Sequence, residues 1–514
     1  MSIGESVDIT AEAGELVTSL MLKPWGQVSP SIYETGRLVS LTPWLTGHRE
    51  RIDYLIRTQR QDGAWGAPDG YGLVPTLSAT EAILAVLARG DRDTDHERLS
   101  SAADRGLRVL ATWLGNPLEL PDMPAIEHIV PSLVARINQH VEGLPDQAPM
   151  PLPEAMSYDT LHVVRSWLKS GMEVPEKLVH ALEIAGEEAA GAPGIRPTPI
   201  GSIGASPAAT AAWLGEHGGG DAHEPARGHL EAVVRLHGGP VPVGLPITVF
   251  ERGWVLSWLL RAGVPIEVPP WMVADIRAAI GPAGTPAGSG LPADADTTSV
   301  ALYALALLGA PHEPDSLWGF RSGTHFSTWP GEQGISVSVN AHVLDAFGEY
   351  VHRRPDAAPR YNETIAELAA WIRDRQRPDG SWTDRWHASP YYATVSCALA
   401  LNSFGADVSE EAVRAAAEWT LETQRPDGSW GRWEGTAEET AYAMQILLLT
   451  RGRTDPRRIR AAERGHEYLA RSTGRDHPPL WHDKDLYVPL AVTRAAVIAS
   501  SYLIRQARAQ TVQL

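Results

Sequence analysis

The sequence predicts an all-α protein built from helical hairpins, and three copies of one motif support that prediction. The motif Gln-x-x-Asp-Gly-x-Trp begins at Gln59, Gln376 and Gln424. Each copy lies between two helix-like segments, so the repeating unit is helix, tight turn, Trp, loop and helix. The Asp-Gly pair supplies the turn, because glycine adopts a positive φ at no steric cost. Strand-like alternation is almost absent, which favours an open or closed array of helices.

Composition indicates a folded protein of two or three globular units. The chain has 514 residues, of which 43% are hydrophobic and 21% charged. A formal net charge of −18 argues against binding to nucleic acid or to an anionic membrane surface. The single cysteine, Cys397, excludes a disulfide framework and a multi-cysteine zinc site. The sequence lacks an apolar run long enough to span a bilayer, and the acidic first residues do not resemble a signal peptide, so we expect a cytoplasmic protein.

Tryptophan is strongly over-used relative to phenylalanine. The chain contains 18 Trp and 5 Phe. Such a bias is expected where a Trp motif repeats or where π faces line a pocket that holds cations.

An Asp-x-Asp motif precedes a very apolar helix. Asp294, Asp296 and Thr297 lie immediately before the segment that starts at Val300. One interpretation is a helix cap, because an N-terminal Asp accepts hydrogen bonds from free backbone N–H groups. The other is a carboxylic acid kept protonated by burial and by a second carboxylate nearby, since both raise its pKa.

The repeats and this acidic motif together resemble the class II terpene cyclases, which begin their reaction by protonating an alkene. Other segments resemble family motifs in the family's order: 29–35, 126–133, 249–254, 386–394 and 481–489. The resemblance covers most of the chain, and the length suits the bacterial two-domain diphosphate cyclases. It implies a double α-barrel, an α/α toroid, with the active site at the domain interface. The β domain (1–45 plus 265–514) would carry the acid, and the γ domain (46–264) would be inserted.

The resemblance also assigns the acid. The family motif is Asp-x-Asp-Asp, and its middle Asp donates the proton; that role maps onto Asp296, with Asp294 as its tuning neighbour. Thr297 replaces the third acid, so burial must supply more of the pKa shift. This variant resembles the drimenyl diphosphate synthases, which implies conversion of C15 farnesyl diphosphate into bicyclic drimenyl diphosphate with the diphosphate retained. A copalyl-type synthase acting on C20 geranylgeranyl diphosphate is the alternative.

Further site residues follow from the same resemblance. Glu119 and Asp122 precede segment 126–133, where the family holds the substrate diphosphate through Mg²⁺. Lys484 is expected to contact phosphate directly. His162 resembles the His of a His/Asn base pair in plant enzymes, although the Asn position falls at Val243 or Gly244. Aromatic candidates for stabilising carbocations, each of which could equally be core, are Phe250, Trp254, Trp329, Trp382, Tyr391, Tyr392 and Tyr487.

Two other classes of function remain open from the residues alone. An α/α-barrel glycosidase would use paired carboxylates among aromatic side chains. A non-catalytic helical-repeat module would use the same helices only for binding. The expected partner is a prenyl diphosphate, and the oligomeric state stays open.

Overall fold

The computed structural model describes residues 8–512 apart from 24, 92–93, 143–147, 217, 219, 221–222 and 333. The acidic first residues, 1–7, lie outside the described residues. The fold is the double α-barrel that the sequence predicted. None of the helices in the described part of the chain combines the length and the apolar character that a membrane span requires.

Within the described residues, the acid-bearing barrel is a closed ring of six inner helices with further helices packed outside it. Each inner helix packs on the next, and α20 closes the ring against α11. The inner helices are α11 (Thr248–Arg261), α13 (Ala295–Leu307), α14 (Val337–Arg353), α16 (Pro390–Phe404), α18 (Ala437–Leu449) and α20 (Leu490–Val512). The outer helices are α1 (Ile9–Leu22), α12 (Pro270–Ala279), α15 (Ala358–Arg373), α17 (Glu410–Glu422) and α19 (Pro456–Ser472).

The inserted barrel packs around α4, which contacts α2, α5 and α6. Its helices are α2 (Ile32–Leu41), α3 (His48–Thr58), α4 (Leu73–Arg89), α5 (His96–Leu114), α6 (Ile126–Val141), α7 (Asp159–Ser170), α8 (Glu176–Val179), α9 (Pro207–Leu214) and α10 (Glu224–His237). Two assignments near the domain boundaries need correction. Helix α2, predicted within the β domain, packs on α3, α4 and α9, and α11, predicted within the γ domain, packs on α13 and α20.

Short elements connect the helices. Among the described residues, antiparallel strand pairs join Thr285–Pro286 with Ala293–Asp294, Arg321–Ser322 with His325–Phe326, and Trp481–His482 with Leu486–Tyr487. The described 3₁₀ segments include Leu182–Ala189, Pro314–Phe320, Pro355–Ala357 and Asp407–Ser409. The first and third strand pairs flank the site described below.

The repeated motif fastens one hairpin to the next in the same way each time. In the second copy, Gln376 Nε2 donates to the carbonyls of Gly380 and Ala412 at 2.9 and 2.7 Å. Trp382 Nε1 donates to the Ile372 carbonyl at 2.9 Å. The motif glycine has a φ of +94°. The same bonds recur around Gln59 with Trp65 and around Gln424 with Trp430.

Candidate active site

The Asp-x-Asp motif divides two tasks between its carboxylates at the start of α13. Asp294 is the N-cap residue, and its Oδ1 accepts a 2.6 Å hydrogen bond from the Thr297 backbone N–H. Burial raises the pKa of Asp294 to about 7, and the nearby Asp296 carboxylate adds to the shift against the opposing hydrogen bond from Thr297. Since Asp294 already caps the helix, Asp296 in the first turn is free for another role.

Asp296 is paired with a histidine that the sequence analysis did not single out. Its Oδ1 lies 2.6 Å from Nδ1 of His342, which projects from the neighbouring inner helix α14. The Asp296 side chain keeps 14% exposure and the His342 side chain 9%. The pair is therefore almost enclosed, with a fixed hydrogen bond to one carboxylate oxygen.

Five aromatic residues form one cluster beside this pair, called here the aromatic cluster: Phe250, Trp254, Tyr392, Trp481 and Tyr487. The Phe250 and Trp254 rings stack with centroids 4.3 Å apart. Trp254 lies edge-on to His342 at 5.5 Å and donates through Nε1 to the Tyr392 hydroxyl at 3.1 Å. Burial is the main cause that raises the pKa of Tyr392 and of Tyr487 in the aromatic cluster. The nearby Asp296 carboxylate adds to both shifts.

A buried carboxylate anchors the far side of the aromatic cluster. Glu438 Oε1 accepts from Trp481 Nε1 at 2.6 Å and from the Tyr442 hydroxyl at 2.9 Å. His387 stacks on Tyr392 with centroids 4.5 Å apart. A cleft of about 1170 Å³ lies between Glu438, α19, α20 and the inserted barrel. It does not contain Asp296, so we do not assign the acid chemistry to it.

Trp329 also lies near the acid. The carbonyl of Thr328 accepts from the backbone N–H of Ala295, which places the loop carrying Trp329 against the first residue of α13. Trp329 packs edge-on against Trp386 at 5.3 Å.

Two of the aromatic residues predicted to stabilise carbocations lie outside the aromatic cluster. Trp382 is fully buried, and its indole donates to the Ile372 carbonyl in the second copy of the repeated motif; these hairpin contacts are called here the repeat clamp. The indole therefore holds helices together and is not part of the aromatic cluster. Tyr391 packs on Trp419 of outer helix α17 with centroids 4.6 Å apart. Because neighbouring residues on a helix do not face the same side, Tyr391 turns outward where Tyr392 turns inward.

Lys484 is committed to the interface between the barrels. Its Nζ is fully buried, pairs with Glu34, and lies 2.9 Å from Glu183 Oε1 and 2.8 Å from Ser206 Oγ. The His180 carbonyl accepts from it at 2.8 Å. An ammonium group has three N–H donors and all are engaged, so the predicted direct phosphate contact is wrong for this geometry.

The predicted base residue His162 lies on the surface of α7 with an exposed side chain. His180 lies half-buried at the interface: its Nε2 is 3.0 Å from Asp483 Oδ1, and Gly244 lies beside its ring. Burial alone would lower the pKa of His180, but Asp483 outweighs that effect and raises it.

Glu119 and Asp122 both have exposed side chains in the loop between α5 and α6. Asp122 Oδ1 is 3.0 Å from Arg385 of the other barrel. Arg385 also pairs with Glu332 at 2.6 Å, and Glu332 in turn accepts from the backbone N–H of Trp329. The acidic loop is thus linked to the loop beside the acid motif. The described residues contain no cluster of three protein groups that could hold a metal by themselves.

The comparisons with known proteins agree with this geometry. The squalene-hopene cyclase C-terminal domain model matches residues 333–487. The chain is 41% identical to an ent-copalyl diphosphate synthase of Streptomyces sp. (strain KO-3988) over 97% of both chains. The chain is a class II terpene cyclase. It is also 39% identical to a copalyl diphosphate synthase of Streptomyces cyslabdanicus over 96% of both chains. The solved ent-copalyl diphosphate synthase from Streptomyces platensis superposes with a TM-score of 0.91 at 45% identity, covering 96% of this chain and 99% of that one. As a member of this family, the chain is an isomerase and neither the glycosidase nor the binding module considered above.

Several residues of the site were missed from the sequence. His342 had a signal, because it is a polar residue among the apolar positions of α14. Trp481 and His387 lie within the motif-like segments 481–489 and 386–394 but were not among the predicted site residues. Arg385 and Glu332 gave no signal, since only the contact between the barrels brings them to Asp122.

Proposed function

We propose that this cyclase converts C20 geranylgeranyl diphosphate into a bicyclic copalyl-type diphosphate. Copalyl diphosphate synthases from three Streptomyces sources support this reading, two by sequence and one by structure. The C15 substrate inferred from Asp294, Asp296 and Thr297 has no support among these relatives. The observation that carries the proposal is the Asp296–His342 pair beside the aromatic cluster.

Asp296 acts as the general acid. It transfers its proton to the terminal alkene of the bound substrate, the alkene π electrons close two rings in sequence, and loss of a proton from the last cation gives the bicyclic product. His342 holds one carboxylate oxygen and so fixes the direction of the other. Asp294 keeps the helix start in place by capping α13.

The aromatic cluster stabilises the carbocations. Ring faces attract cations by their quadrupole, and this attraction grows where water is excluded. Trp254 and Trp481 are each at most 3% exposed, so a cation held against either ring would be shielded from water.

Mg²⁺ fits the loop that holds Glu119 and Asp122. Hard divalent cations of this kind are bound by one or two carboxylates together with substrate phosphates and water, and both side chains are exposed. When bound, Mg²⁺ would neutralise the diphosphate charge. Arg385, which pairs with Asp122 and Glu332, would contact the same phosphates. We expect Glu119→Gln/Asp122→Asn to raise KM at least tenfold and to remove the response to added Mg²⁺; an unchanged Mg²⁺ response would contradict this placement.

The test of the proposed function is a comparison of chain lengths. Purified enzyme is given C15 or C20 prenyl diphosphate, the products are dephosphorylated, and mass spectrometry identifies them. We expect kcat/KM to be at least tenfold higher for the C20 substrate. An equal or higher value with the C15 substrate would return the assignment to a drimenyl-type cyclase.

A further inference from the structure

Gly186 lies where helices α6 and α7 of the inserted barrel pack on the 3₁₀ segment Leu182–Ala189. The segment is fixed to α6, because Ser132 Oγ donates to the Ile184 carbonyl at 3.0 Å. Gly186 interrupts the segment with a φ of +73° and a ψ of −132°, a combination that glycine adopts without steric cost. The absence of a side chain at this position leaves an opening between the three elements.

Arg136 of α6 and Arg165 of α7 converge on this opening. The position that a Cβ atom of residue 186 would occupy lies 3.5 Å from Nη2 of Arg136 and 3.8 Å from Nη2 of Arg165. Among the described residues outside the segment, no other atom comes within 4 Å of that position. Arg165 is held in place because its Nε donates to the Ala185 carbonyl at 3.1 Å. The ends of both guanidinium groups therefore lie beside one small open volume.

Arg136 has no anionic partner in the described part of the chain. Its side chain is half-buried, yet it makes no hydrogen bond or ion pair with any described residue. The charge of Glu81 reaches it, but that carboxylate is already held by Arg37, Ser40 and His140. Burial lowers the pKa of Arg136. Because burying an unpaired charge costs free energy, this guanidinium lacks a counter-ion.

Positive charge is in excess at this junction. Glu188, a carboxylate of the same segment, lies 2.9 Å from Lys169 and only 3.9 Å from Arg165. Glu187 is exposed, where water screens its charge. Two guanidinium groups beside one opening match an anion that carries more than one charge and several acceptor oxygens. A phosphate group has both properties, and arginine is well suited to bind it with two parallel hydrogen bonds.

We propose that the opening at Gly186 binds a phosphate group through Arg136 and Arg165. The ligand is either inorganic phosphate or the phosphate end of a small ester, which share this chemistry. The site is separate from the loop that holds Glu119 and Asp122. That loop precedes α6, whereas Arg136 is the eleventh residue of the helix, about 15 Å along its axis.

A bound phosphate would also act on the contact between the barrels. It would join α6 and α7 to the 3₁₀ segment, whose Glu183 pairs with Lys484 of the acid-bearing barrel. Occupancy should therefore stabilise the whole chain against unfolding, as any ligand of the folded state does.

Calorimetric titration tests the binding. The full chain, in buffer without phosphate or Mg²⁺, is titrated with inorganic phosphate and, separately, with glycerol phosphate as an ester. Arg136→Gln and Arg165→Gln should each weaken binding at least tenfold. Arg108→Gln, at an exposed position of α5, is the matched control and should bind as wild type does. Arg385→Gln should also keep this binding, because it alters only the proposed diphosphate site. Tighter binding of glycerol phosphate identifies an ester as the ligand, and tighter binding of inorganic phosphate identifies the free ion.

Thermal unfolding separates a binding role from a structural one. In phosphate-free buffer, Arg136→Met should be at least as stable as wild type, because it removes a charge that has no partner. Added phosphate should raise the melting temperature of wild type increasingly with concentration. The variant should show only the smaller general effect of the salt. The proposal is overturned if Arg136→Met melts below wild type and responds equally to phosphate, or if Arg136→Gln binds phosphate within twofold of wild type.

Discussion

Two buried clusters in this enzyme differ in how many hydrogen-bond and ion-pair partners surround the charged group at their centre. At the barrel interface, Lys484 is fully enclosed and held by Glu34, Glu183, Ser206 and a backbone carbonyl. Beside the aromatic cluster, Asp296 has the His342 ring as its hydrogen-bond partner and retains some exposure.

The difference teaches how to separate structural charge from reactive charge. A fully partnered buried ion such as Lys484 has no capacity left for a ligand, and removing it leaves other charges unpaired. An acid held at one oxygen, as Asp296 is, can exchange a proton at the other. Burial alone does not distinguish the two cases, but the number of partners does.

The largest effect is expected from Asp296→Asn. The substitution preserves side-chain volume and removes the transferable proton, so cyclisation should fall about a thousandfold or more, within or beyond the usual contribution of a general acid. The melting temperature should match wild type, because Asp294 and not Asp296 caps α13. Exposed Asp356→Asn is the control and should keep full activity. Retention of more than about a tenth of the wild-type rate would show that Asp296 is not the acid.

The second effect concerns stability. Lys484→Met leaves Glu34 and Glu183 buried without their cation, which typically costs about 3–5 kcal/mol. We expect a clearly lower melting temperature in calorimetry, with KM of the folded fraction within about threefold of wild type.

Adding Glu34→Gln and Glu183→Gln to Lys484→Met should recover much of that loss, since no unpaired charge then remains. A large rise in KM without a loss of stability would instead restore Lys484 to the diphosphate site.

The sequence predicted much of this comparison but not all of it. The repeats predicted the helical hairpins because each uses local groups, such as the Gln376 amide and the Trp382 indole, that act within one hairpin and its neighbour. Asp296 was found through its motif. His342 was not found, because it pairs with a residue on another helix, 46 positions away in the sequence.

The role of Lys484 was misjudged for a related physical reason. A lysine beside a Trp-His-Asp segment is compatible with phosphate binding, and only the packing of α2 and the 3₁₀ segment Leu182–Ala189 against it brings Glu34 and Glu183 into contact. The exposure of His162 could not be predicted either. Helix α7 has apolar residues on one face, but the sequence does not show which part of the protein covers that face.

The third effect is a change in pH dependence. The pKa of Asp294 is raised by burial from its ordinary value near 4 to about 7. Between those values the folded protein keeps a proton that the unfolded chain releases, so this group's contribution to the free energy of unfolding is fully present below about pH 4 and falls as pH rises to 7.

Asp294→Asn removes that titration and keeps an N-cap oxygen. Denaturant unfolding at pH 5, 6, 7 and 8 should show the variant gaining on wild type as pH rises to 7, by at most about 1.4 kcal/mol per pH unit. Parallel pH curves for the two proteins would mean that Asp294 titrates normally.

The smallest effect separates the two kinds of tryptophan. Trp382→Phe removes one buried hydrogen bond to the Ile372 carbonyl and some packing, so the free energy of unfolding should fall by about 1–3 kcal/mol. The product pattern and kcat should not change, because this indole lies in the repeat clamp.

Trp254→Phe is the matched substitution in the aromatic cluster, where the indole contacts His342 and donates a hydrogen bond to Tyr392. It should lower kcat severalfold and increase by-products that arise when carbocations lose a proton early. Product analysis by mass spectrometry together with denaturant unfolding measures both; by-products from Trp382→Phe would place that ring in contact with the substrate after all.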